Sequence, residues 1–236
     1  MDRFDFYLDA LDGLFVLQGR AGLSEAALTA LPADEQLRFK AYLFLMESVN
    51  TTASGALQLF ASNYYSDAFA LLRMIYEAAS LMYYGNQSPV CADEFYETVF
   101  KSGLEDAAHA KGEWALIRKA QSAMEDADPE LVEVRKLINN FGAHVSRAKI
   151  VLGNVAASSG QTVSTVFRDN CRQPEFLQGL DLLFCVLAIA VQQYDRQAAT
   201  YAGAKPDVAD EIGSAINRFA GVTRPRLQGM VQPPRN

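Results

Sequence analysis

Apolar residues recur at three- and four-residue spacing along most of the chain, and no period-two alternation competes with them, so helices are predicted throughout. Phe4, Leu8, Leu11 and Phe15 set the first helical stripe, which Gly19 and Gly22 are expected to interrupt. Ser24 is positioned to cap a short helix that stops at Pro32. Asp34 is the candidate cap of the next helix, which carries Leu37, Tyr42, Leu45, Met46, Val49, Leu57 and Phe60 and runs to about Asn63. Residues 64–84 are the most hydrophobic stretch. Nearly every face there is apolar, the pattern of a helix surrounded by others.

Gly85 is a natural helix stop before a turn at Asn86-Gln87-Ser88-Pro89. A mixed, acidic helical region extends to about Met124. Asp128-Pro129 then opens a helix bearing Leu131, Val134, Leu137, Ile138 and Phe141. Gly142 is placed to end or bend it, and another helix is predicted from His144 to about Ala157. Ser158 to Gln173 is polar and turn-rich and reads as a loop. Pro174 opens a long helix to about Ala202, and a last one spans roughly Pro206 to Ala220. The predicted fold is all-α, an irregular bundle of about seven to nine helices. One domain over residues 1–220 is expected, with 1–33 open to being a separate N-terminal arm and 221–236 a flexible basic tail.

Half of the 236 residues are hydrophobic and 11% aromatic, enough to bury a core. The formal net charge of −7 opposes nucleic acid and anionic membrane as default partners. That total hides an asymmetry. Asp93 to Glu133 holds eleven acids and four bases, whereas Val134 to Arg172 holds six bases and only Asp169. Three cysteines, Cys91, Cys171 and Cys185, show no paired spacing, which argues against a disulfide framework or a cysteine zinc site. The acidic start, Met1-Asp2-Arg3-Phe4-Asp5, is unlike a signal peptide. The longest apolar run, Leu182 to Val191, is about half of a membrane span. Cytoplasmic localisation and no membrane contact are therefore expected.

Chemistry concentrates at few places. Placed 100° apart per residue on helix 64–84, Ser66, Arg73, Glu77, Ser80 and Tyr84 fall within about 40° of one line. Arg73 and Glu77 are spaced to pair along the helix. The stripe reads either as the helix's solvent face with a structural ion pair, or as a ligand or dimer surface built around a guanidinium. Asn140, His144 and Arg147 share a face if the helix continues through Gly142, and their basic surroundings suit an anion such as phosphate. The alternative for His144 is a histidine that caps a helix or is hydrogen-bonded in the core. His109 has Glu105 four residues earlier, yet the Glu-x-x-His pairs of di-iron bundles are missing, so no metal and no cofactor are expected. Ser146-Arg147-Ala148-Lys149 matches Ser-x-x-Lys without its partner motifs, and no nucleophile elbow, phosphate-binding loop or dinucleotide fingerprint occurs. Arg218, Arg224, Arg226 and Arg235 read as a solvated tail or a grip on a partner or RNA.

The stretch Asn63-Tyr64-Tyr65-Ser66-Asp67-Ala68-Phe69-Ala70-Leu71-Leu72-Arg73-Met74-Ile75-Tyr76-Glu77 resembles the core helix of bacterial all-helical proteins of unknown function, in which an Arg-x-x-x-Glu helix precedes a later histidine. Asn140-Phe141-Gly142-Ala143-His144 would be that later element. Over residues 50–155 the arrangement is also distantly similar to the HEPN superfamily, helical dimers that include ribonucleases. The nuclease signature of that superfamily, an arginine four to six residues before a histidine, departs here: Arg135 precedes His144 by eight intervening residues. The resemblance implies a helical dimer without the standard active site.

The leading expectation is a helical protein acting by association, as a homodimer, with a further protein partner allowed. The alternative is a ribonuclease or phosphate-ligand-handling protein with His144, Arg73 and Glu77 as catalytic groups. A third reading binds a small anionic ligand with Arg73, Asn140, Arg147 and Tyr84. Both site readings require the charged seam and His144 to share one cavity.

Overall fold

Two local signals in the chain act as predicted. The Ser24 hydroxyl accepts the Ala27 N–H at 3.2 Å and starts α2 (Glu25–Thr29). Asp128 caps α7 (Glu130–Gly142), its carboxylate accepting the Glu130 N–H at 3.1 Å. The structure, a computed structural model, describes residues 3–62, 64–101, 107–142, 174–203 and 205–231. Among these residues there are nine α-helices, one short π-helical turn and no strand. The others are α1 (Arg3–Ala21), α3 (Ala33–Ala61), α4 (Tyr65–Gly85), α5 (Pro89–Tyr96), α6 (Ala107–Ala127), α8 (Pro174–Ala202) and α9 (Pro206–Val231), with the π turn at Glu97–Lys101 after α5. The helix expected from His144 to Ala157 and the loop from Ser158 to Gln173 lie outside the described residues.

Helices α4 and α8 form the centre. α4 packs against α3, α5, α6, α7 and α8, and α8 also packs against α1, α3 and α9. α8 is long and apolar enough to cross a membrane, but 78% of its most apolar window is buried inside the bundle. It ends at Gly203, whose φ of +81° lies in the left-handed region where glycine replaces other residues at little cost.

Several boundaries differ from the sequence reading. Gly19 does not interrupt α1, which continues to Ala21; one glycine costs a helix only about 1 kcal/mol. The buried stripe of α1 is Tyr7, Leu11, Leu14, Leu17 and Ala21, and Tyr7 donates to the buried Asp181 of α8. The α1 stripe joins the same core as α8. Asp34 does not cap α3. Pro32 holds that position, and Asp34 lies in the first turn, where the helix's positive end favours a carboxylate. Leu37 is exposed rather than core. α9 continues past Gly221 to Val231.

Gly85 is a packing residue more than a stop. α4 closes on Asn86, which keeps an ordinary right-handed backbone. A Cβ on Gly85 would stand 2.0 Å from the Tyr42 hydroxyl, so the glycine lets a buried phenol of α3 lie against the helix. Gly179 does the same on α8, where a Cβ would meet the Phe60 ring at 2.3 Å. Phe60 in turn packs edge-on against Phe69 of α4, with centroids 5.5 Å apart, locking three helices at one point.

Candidate functional site

The seam Ser66, Arg73, Glu77, Ser80, Tyr84 does not form one solvent-facing line. Helix α6 covers its lower part. Ser80 is fully buried and returns its hydroxyl to the Tyr76 carbonyl at 2.7 Å. Tyr84 is buried and donates to Glu94 of α5 at 2.6 Å. Glu94 accepts Lys119 of α6 at 2.8 Å, and the Lys119 ammonium stands 5.0 Å from the Tyr84 ring centroid. Tyr84 is therefore a tie between α4, α5 and α6. The Lys119 bond and the Tyr84 bond hold the Glu94 carboxyl below its ordinary range. Only Arg73 and Glu77 keep access to solvent among the described side chains of the seam. The Ser66 side chain is outside that set.

Arg73 Nε donates to Glu77 Oε1 at 2.8 Å, the pairing that the spacing predicted. The Arg73 guanidinium also stands 6.0 Å from the ring centroid of Trp114 on α6, an outer-limit cation–π geometry. Glu77 lines a groove of about 200 Å³ together with Met74, Ala78 and Leu81 of α4, Ser48 and Thr52 of α3, and Ile117 of α6. The floor is α4 and the two walls are α3 and α6. Its surface is mostly aliphatic, with two hydroxyls and one carboxylate, and that carboxylate already holds its cation.

The exposed stripe of α4 is a neighbouring one that the sequence did not single out. Tyr64, Asp67, Ala70 and Met74 are all exposed, with Met74 at 53% of its surface. The most hydrophobic helix is surrounded only in its C-terminal half. Its N-terminal half is open on one side, and the groove continues that open strip between α3 and α6. Trp114, 50% exposed, flanks it beside Arg73, and Phe44, 58% exposed, lies on the same stripe of α3 as the groove residue Ser48. The single tryptophan of the chain offered no pattern by which to place it.

His144 and Arg147 lie outside the described residues, and so does the His109 side chain on α6. Asn140 stands exposed on α7. Among the described residues no group of three metal-binding side chains comes together. Cys91 and Cys185 are unbonded, and Cys171 lies outside the described residues.

A second polar cluster was invisible to motif reading. Glu125, at the end of α6, accepts Arg135 Nε at 2.5 Å and Nη2 at 3.0 Å, and also accepts the Tyr76 hydroxyl at 2.8 Å. Glu125 is nearly buried and joins α4, α6 and α7. Its partner comes from across the border where the acidic zone of the sequence gives way to the basic one. The charge asymmetry is thus in part a pairing between adjacent helices.

Burial pushes several phenols upward: Tyr84 and Tyr194 each to about 12, with Tyr42, Tyr76 and Tyr201 also raised. A raised pKa in the folded state favours the protonated phenol there. The resulting stability is intact below about pH 10, where unfolded tyrosine ionises, and is lost as pH climbs toward the folded values. Absorbance titration at 295 nm should therefore show the native protein at about pH 11 well short of the ionisation of the same chain in urea. Coincident native and denatured curves would contradict the burial of these hydroxyls.

Compared with protein-family models, with curated proteins and with solved structures, the chain matches none.

Proposed function

We propose that this protein acts by association rather than catalysis, as a cytoplasmic homodimer. The open strip of α4 at Ala70 and Met74 carries the reading. Met74, half exposed, lines the groove, and Trp114, half exposed, stands beside the neighbouring Arg73; exposed apolar surface of this kind marks contact surfaces. The Arg73–Glu77 pair supports association over phosphate chemistry. A guanidinium that already holds a carboxylate and flanks an indole has little unmet demand for an anion.

Size-exclusion chromatography with light scattering is expected to give twice the mass of the 25.9 kDa chain at micromolar concentration. A strict monomer under those conditions would remove the reading. RNA turnover that is lost in His144→Ala would transfer support to the ribonuclease alternative.

A further inference from the structure

We propose that Cys91 is a peroxide-sensitive thiol, and that its oxidised form takes the hydrogen bond which the buried Tyr42 hydroxyl lacks. Tyr42 on α3 is 1% exposed, and its Oη has no hydrogen-bond partner among the described residues. Buried hydroxyls are nearly always paired, so a single one points to an acceptor outside the resting set of contacts. The surroundings aim it at Cys91. The Tyr42 ring packs on Phe95 of α5, with centroids 5.1 Å apart. Cys91 lies four residues before Phe95, one turn away on the same face of α5. Gly85 lies against the hydroxyl, where a Cβ would stand 2.0 Å from Oη. Tyr201 and Cys91 are the ionisable groups whose charge acts on the Tyr42 phenol. The Tyr201 hydroxyl accepts Gln197 at 3.4 Å and is not bonded to Tyr42.

Cys91 is placed for oxidation. It is unbonded and partly exposed, so a small oxidant can reach its sulfur. It stands in the first turn of α5, where the Ser88 hydroxyl accepts its N–H at 3.2 Å. The positive end of a helix favours negative charge at that position. A second phenol borders it: Tyr84, already bonded to Glu94 at 2.6 Å, is within hydrogen-bonding reach of Cys91. Cys185 on α8 is the contrast. Burial, and then the Asp181 carboxylate, push its thiol up to about 12, so it keeps its proton and stays inert.

The oxidant is a hydroperoxide. The Cys91 thiol gives its proton to solvent, and a sulfur electron pair attacks one peroxide oxygen. The S–O bond forms as the O–O bond breaks. Sulfur is oxidised by two electrons, and the second oxygen leaves as hydroxide and is protonated to water. The product is a sulfenic acid. A thiol sulfur is a weak acceptor, whereas the added oxygen is a strong one, and Tyr42 Oη is the donor without another partner. Tyr42 thus acts as a positioning residue that holds the oxidised side chain at the first stage of oxidation.

The test treats the folded full-length chain with hydrogen peroxide, traps sulfenic acid with dimedone and maps the adduct by peptide mass spectrometry. The adduct is expected on Cys91 and not on Cys185, and Cys91→Ser should abolish the Cys91 adduct. Tyr42→Phe keeps the ring against Phe95 and deletes only the hydroxyl. In the reduced chain it should leave the urea midpoint unchanged or raised, since no hydrogen bond is lost. In the oxidised chain it should shorten the lifetime of the Cys91 sulfenic acid about tenfold, with sulfinic acid as the product, because one buried hydrogen bond is missing. Absence of a dimedone adduct on Cys91 would overturn the proposal. So would equal sulfenic lifetimes in wild type and Tyr42→Phe. A clear loss of reduced-state stability in Tyr42→Phe would show that the hydroxyl already has a partner and would overturn it as well. None of these outcomes bears on the oligomeric state, so the association reading stands or falls separately.

Discussion

Phe60→Ala is expected to cost about 3–5 kcal/mol of folding stability, the range for removing a fully buried aromatic ring. The ring has no exposed surface and meets helices α3, α4 and α8 at one point. On α8 the ring lies against Gly179, where a Cβ would sit 2.3 Å from it. Gly179→Ala in the wild type should therefore destabilise by about 1–3 kcal/mol through overpacking. In the Phe60→Ala background the same methyl enters the vacated space, and its cost should vanish or reverse. Urea denaturation of the four proteins gives the coupling energy. Additive effects would mean that the two residues do not share this volume.

Glu125→Ala is expected to cost about 2–4 kcal/mol, because it strands a buried phenol and removes both carboxylate contacts of a guanidinium. Tyr76 is 1% exposed and would keep only its 3.4 Å contact to the Leu131 carbonyl. Arg135 is one-third open and can turn to water, which holds the cost below that of a wholly buried pair. Glu125→Gln should lose less, since the amide oxygen still accepts the phenol. Glu133 gives the contrast. Its pair with Lys136 is exposed on both sides, and Glu133→Ala should change stability by no more than about 0.5 kcal/mol. Equal losses at Glu125 and Glu133 in thermal unfolding would refute the central role given to the buried carboxylate.

Both predictions concern residues that sequence patterns treated as ordinary. Phe60 was one of several apolar positions on its helix, and Glu125 one of eleven acids in a charged zone. Their importance comes from neighbours distant in the chain. Gly179 lies more than a hundred residues from Phe60, and no local rule relates them. Glu125 and Arg135 are close in sequence, but their bond requires the α6–α7 turn to bring two helices together. Arg73–Glu77 was legible because an i,i+4 pair is fixed by helix geometry alone. That pair's surroundings were not. Trp114 beside it and the open strip at Ala70 and Met74 depend on where α6 and α3 stop covering α4.

The amino-acid order by itself determined the all-α class, most helix boundaries, the caps at Ser24 and Asp128 and the ion pair on α4. These follow from hydrogen bonds and side-chain spacings within a few residues. Tertiary structure decided which stripe of each helix is buried, why Gly85 and Gly179 must be small, and that Tyr84 is a strut while Met74 lies open. Periodicity shows that a helix has an apolar face, but a helix as uniformly apolar as α4 has no preferred face until its neighbours are in place. Exposure on such a helix is a property of the packing around it.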